Sequence, residues 1–84
     1  MTRREKLYEK ALNNPKGLSF DELCRLAEYA GFDFKRQKGS HRIYKHPEIH
    51  GIEQTINIQE WKNGEAKPTQ VRNLLDLIDK YRLI

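Results

Sequence analysis

Eighty-four residues, 37% of them hydrophobic and 33% charged, suffice for one small folded domain (1–84) and leave no room for a second core. No apolar run is long enough to span a membrane. The basic start at Arg3 and Arg4 runs into a charged helical pattern, so no signal peptide is expected. The one cysteine, Cys24, has no internal partner and suits a buried thiol in a reducing compartment, so a cytoplasmic location is expected. The net charge of +4 is local: residues 1–34 balance six Lys/Arg against six Asp/Glu, residues 48–84 carry five against six, and residues 35–47 carry five cations and no acid.

Thr2 and Glu5 have the spacing of a capping box, and Leu7, Tyr8, Ala11 and Leu12 recur at helical intervals. The spacing predicts a helix over 2–13, ended by Pro15 and dependent on docking because it is short. Ser19 opens a second helix, with Glu22 three residues on and Leu18 and Leu23 placed as a hydrophobic staple. Phe20, Leu23, Cys24, Leu26, Ala27 and Ala30 form its apolar face, and Gly31 is its C-terminal cap. From Phe32 the period becomes two. Phe32 and Phe34 are expected to face the core, with Asp33 and Lys35 facing away. Residues 38–40 read as a hairpin turn, and a second strand follows over 41–45, with Ile43 inward and Arg42 and Tyr44 outward. After a loop at 48–53, a third strand over 54–59 turns Ile56 and Ile58 inward and Thr55, Asn57 and Gln59 outward. Pro68 begins a last helix whose apolar stripe is Val71, Leu74, Leu75, Ile78 and Tyr81, with Lys80 and Arg82 in its last turn.

The expected fold class is α+β: a three-stranded antiparallel meander with one face covered by the second and last helices. The open face is expected to carry Lys35, Arg42, Tyr44 and Asn57.

Local excess of one sign suits a polyanion, most simply a nucleic acid, although Lys and Arg also guard hairpin edges against strand pairing. No metal is expected, because His41, His46 and His50 fall on strand and loop without cysteines or clustered acids. No cofactor is expected either. What remains is histidine acid–base chemistry. His41 begins a strand directly after Gly39 and Ser40, with cations on both sides. RNA cleavage needs a proton taken from the ribose 2′-hydroxyl or given to the leaving 5′-oxygen. Lys38, Arg42 and the amides of the Gly39-Ser40 turn are placed to stabilise the charge on phosphorus. A surface histidine in a basic hairpin is the alternative on chemistry alone.

The residues Gly31 and Phe32, then Lys38, Gly39, Ser40, His41 and Arg42, then Tyr44, Lys45, His46 and Pro47, resemble the HicA (YcfA-like) toxins. Gly64 to Pro68, followed by Val71 and a leucine-rich helix, is similar to the family's C-terminal half. The likeness covers roughly 19–83. It implies a fold similar to a double-stranded-RNA-binding domain (α-β-β-β-α) and a metal-independent endoribonuclease that cleaves mRNA. It also implies neutralisation by an antitoxin of the HicB type. The position of the family's catalytic histidine, after the Gly-Ser turn, is His41 here. The helix over 2–13 is additional to the minimal family domain, and many members carry a second histidine at the end of the third strand, where this chain reads Asn57, Ile58 and Gln59.

The site expected is therefore His41 as general acid or base, Lys38, Ser40 and Arg42 positioning the scissile phosphate with the Gly39 turn, and Arg36 and Lys45 neutralising further phosphates. His46 reads as a strand terminator, His50 as a solvated loop residue, Trp61 as a cap on the core edge, and Lys67 as a candidate phosphate contact at a helix start. The expected partners are mRNA and an antitoxin protein, with homodimer and toxin–antitoxin hetero-oligomer both open. A non-catalytic RNA-binding module and a protein-interaction domain are the other readings of the basic hairpin.

Overall fold

The capped helix beginning at Ser19 is where the fold is anchored. In a computed structural model describing residues 2–84, Ser19 Oγ accepts from the Glu22 N–H at 3.1 Å and the Ser19 N–H donates to the Glu22 carboxylate at 3.0 Å. Two amides left without partners at the helix start are thereby satisfied. The helix, α2 (Phe20–Tyr29), buries Phe20, Leu23, Cys24, Leu26 and Ala27. Each larger apolar side chain among them contributes about 1.5–3 kcal/mol of transfer free energy. It ends where the Gly31 N–H returns to Glu28 O and the Phe32 N–H to Ala27 O, a closure that needs the positive φ of 97° that Gly31 adopts.

The preceding helix, α1 (Arg3–Asn13), packs Leu7 and Ala11 against this core. Thr2 caps it by accepting from the Glu5 N–H, but the Glu5 carboxylate turns to the Thr2 hydroxyl at 3.1 Å rather than to the Thr2 amide, so half of the expected capping box forms. A short 3-10 turn at Pro15–Gly17 joins the two helices.

The sheet is β1 (Asp33–Lys38), β2 (His41–Lys45) and β3 (Thr55–Gln59), antiparallel with β2 central. The last helix, α3 (Pro68–Tyr81), buries Val71, Leu74, Leu75 and Ile78. The fold is thus α+β, with a helical layer against one sheet face. Among the described residues no helix is long and apolar enough to cross a membrane.

Two strand expectations are corrected. In β2 the faces are inverted: Tyr44 is fully buried, and Arg42 turns inward with it, while Ile43 is only half-buried on the outer face. The register explains this, since Tyr44 pairs with Ile56 and Arg42 with Ile58, the inward residues of β3. Arg, Ile and Tyr in succession allow either parity, and the larger ring takes the interior while the long arginine stem lies along apolar surface. In β1, Phe34 faces inward but stays 50% exposed, packed only edge-on against the Tyr44 ring, because the edge strand extends past the helical cover.

Three further core assignments change. Trp61 is 43% exposed, with Lys62 over its ring, and does not cap the core. Tyr81 leaves the apolar stripe and donates to the Glu53 carboxylate. Ile49, from the loop before β3, is buried and joins the core unforeseen.

Candidate functional site

Alternation along β1 would place Phe34, Arg36 and Lys38 on one face. A bulge between Phe34 and Arg36 breaks it: Phe34 pairs with Tyr44, Arg36 with Ile43 and Lys38 with His41. Arg36 and Lys38 are thereby turned to the outer face. Gly39, at φ 61° in the first central position of a two-residue turn, lets the chain reverse so that Lys38 and His41 face each other.

The outer face then reads as three rows. Lys38, His41 and Gln59 form the first, Arg36, Ile43 and Asn57 the second, and Asp33, Lys45 and Thr55 the third. His41 is half-buried, and its Nδ1 lies 3.0 Å from Asn57 Oδ1. An amide oxygen only accepts, so Nδ1 is the donor of this pair, and Nε2 has no hydrogen-bond partner among the described residues. Gln59 donates from Nε2 to Ser40 Oγ at 3.2 Å and accepts from Lys67 Nζ at 2.7 Å, while its own backbone N–H donates to Gln70 Oε1 at 3.0 Å. The start of α3 is therefore tied through Gln59 to the turn that precedes His41, and the Lys67 ammonium is held at the same end of the sheet.

Five of the six expected phosphate-contacting residues lie on this face or its turn: Arg36, Lys38, Gly39, Ser40 and Lys45. Lys45 is four residues from His41, about 13 Å along the strand, so it does not stand beside it. Arg42 is the exception. It lies on the opposite face, its guanidinium 5.4 Å from the Phe20 ring centre and Nη1 donating to Cys24 Sγ at 3.8 Å, so it does not stand beside His41. Strand alternation forbids neighbours 41 and 42 from sharing a face. The two ion pairs among the described residues, Lys10 with Glu22 and Lys80 with Glu53, use no cation of 35–47.

His46 is buried. Its Nε2–H donates to Ala30 O at 3.1 Å and its Nδ1 accepts from the Glu48 N–H at 3.1 Å, so both nitrogens are committed to holding the backbone. It cannot serve as a second histidine for His41. His50 is exposed. No group of three or more His, Cys, Asp or Glu side chains with metal-binding placement occurs among the described residues. A cavity of about 400 Å³ between β3 and α3 borders the site through Thr55, Asn57 and Gln70.

Asn57 and Gln59 carried no role in the sequence reading. Their outward parity on β3 was legible, but not which residues stand across from them.

A family model described as the HicA toxin of bacterial toxin-antitoxin matches residues 20–79, from the first residue of α2 to the last turns of α3. The chain belongs to the HicA toxin family. Its role is accordingly that of the toxin of a toxin–antitoxin pair, and an antitoxin is its partner. The matched stretch holds the whole sheet and the His41 site; α1 lies outside it. Comparison with curated proteins and with solved structures gave no match.

Proposed function

We propose that this protein is a metal-independent endoribonuclease that cleaves mRNA in the cytoplasm, with His41 as its general base, and that an antitoxin of the HicB type blocks it by covering the His41 face. The observation that carries the reading is the Asn57 hydrogen bond to His41 Nδ1. It leaves Nε2 free to take a proton, at the turn end of a face whose cations form no ion pair among the described residues. His41 Nε2 takes the proton of the ribose 2′-hydroxyl, the 2′-oxygen attacks phosphorus, and the 5′-oxygen leaves. In-line displacement puts the leaving oxygen on the far side of phosphorus, so its proton comes from water or from the Lys38 ammonium. No second histidine is needed. Lys38, Lys67 and the Ser40 turn stabilise the charge that builds on the phosphoryl oxygens, and Arg36 and Lys45 hold adjacent phosphates.

Purified protein is expected to cut single-stranded RNA in the presence of EDTA. His41→Ala should lower the rate by about 10²–10⁴-fold, the usual worth of a general base, with an unchanged unfolding transition. Asn57→Ala should cost about tenfold, since the base remains but its tautomer is no longer held. Cleavage by His41→Ala at the wild-type rate overturns the mechanism. Salt-sensitive binding with no cleavage by wild type at any pH makes the protein an RNA-binding module instead.

A further inference from the structure

Residues 1–34 are neutral in sum, so nothing in the sequence marks them as a nucleic-acid surface. The fold sorts their charges. Arg3, Lys6 and Lys10 are spaced i, i+3, i+7 along α1 and stand on one face of it, while Glu5 and Glu9 border a different hollow with Tyr8 and Leu12. Arg25 and Tyr29, i and i+4 on α2, form the opposite wall. Between the two helices runs an open groove of about 250 Å³. Four cations line it against a single carboxylate, Glu22, which is bonded to Lys10 at 2.6 Å. Arg3, Lys6 and Arg25 are exposed and form no ion pair among the described residues.

We infer that this groove is a second binding surface for the sugar-phosphate backbone of single-stranded RNA, in the helical layer and across the sheet from His41. The inference rests on the reading of RNA as substrate but assigns residues outside the His41 site, and the α1 wall of the groove lies outside the stretch shared with the family model. Two features favour RNA over an acidic protein. Unpaired cations on both walls, with the half-buried aromatic Tyr29 beside Arg25 on one of them, are the components of a phosphate-tracking channel. A protein interface needs an apolar centre, and the exposed large hydrophobics among the described residues, Leu12, Phe34, Ile52, Trp61 and Tyr81, all lie outside the groove.

The test is the salt dependence of RNA binding. A labelled single-stranded RNA of about 30 nucleotides is titrated with His41→Ala, and with His41→Ala also carrying Arg3→Ala, Lys6→Ala and Arg25→Ala. Alanine at these exposed helical positions preserves both helices, and far-ultraviolet circular dichroism checks that it has. Three lost phosphate contacts should reduce the slope of log K against log salt by about 2, so a fourfold rise in salt weakens the parent about 20-fold more than the triple variant. An equal slope in the two proteins overturns the groove and leaves the His41 site standing. A parent that binds no RNA overturns both. Poly-L-glutamate is the second probe: if its binding falls in the triple variant while the RNA slope is unchanged, the groove belongs to an acidic protein and the inference is wrong.

Discussion

At Gly31 the backbone holds a φ of 97°, and a Cβ built there would stand 2.7 Å from His46 Nε2. That nitrogen carries the hydrogen bond to Ala30 O, so the end of α2 and the end of β2 are fitted around one missing methyl group. Gly31→Ala therefore meets two costs, a disfavoured dihedral and the loss of a buried hydrogen bond, together about 2–4 kcal/mol. Chemical denaturation measures it, and a loss below about 1 kcal/mol would show that His46 moves aside freely. Tyr44 makes the opposite case. Its hydroxyl is fully buried without a hydrogen-bond partner, and burial pushes its pKa up to about 12. A buried donor without a partner costs stability, so Tyr44→Phe is expected to be neutral or to stabilise by up to about 1 kcal/mol. A midpoint clearly below wild type would mean that the hydroxyl is satisfied through Arg42 or Cys24 in solution.

The elements differ in how far local pattern determined them. The faces of α2 and α3 were legible because several apolar positions at helical spacing agree, so one misread residue cannot turn the helix. A five-residue strand has no such redundancy: β2 offered Ile43 and Tyr44 as neighbours, and choosing the wrong one moved Arg42 to the wrong side. The bulge in β1 left no mark in the sequence either, yet it is what lets Phe34 face inward while Arg36 and Lys38 face outward. Between helices, the link that carries a pH signature is Lys10 to Glu22. Burial alone raises the Glu22 carboxyl, but the hydrogen bonds from Lys10 and from the Ser19 amide outweigh it and hold it below its ordinary 4.5. A carboxyl lowered by folding adds stability that is complete above 4.5 and is lost as pH falls through its folded value. Glu22→Gln keeps an acceptor for the cap but not the charge. Thermal melts from neutral to acid pH should show wild type ahead by about 1 kcal/mol above that range and the two curves converging below it. A gap that stays constant down to the most acid melt would remove the charge from the explanation.

Over the whole molecule the charge is divided between two layers, and only one half of that division was legible. Residues 35–47 showed their excess because it is contiguous in the chain. The groove between α1 and α2 did not, because its cations alternate in sequence with acids that the helix carries to other faces. Packing like charges without partners costs the folded state self-repulsion. A protein that keeps them for an anion is stabilised when the anion binds, whereas one that keeps them only to guard a strand edge gains no specific increment. With a single-stranded RNA present at about 100 times its Kd, His41→Ala should gain about 2.7 kcal/mol. For a chain of this size that is about a 15 °C rise in Tm. Adding Lys38→Ala and Lys45→Ala should shrink the rise, because the two lysines then no longer contribute to binding. If RNA raises the melting temperature of neither protein, the cations of the hairpin are edge protection and the substrate reading fails at the level of the whole molecule.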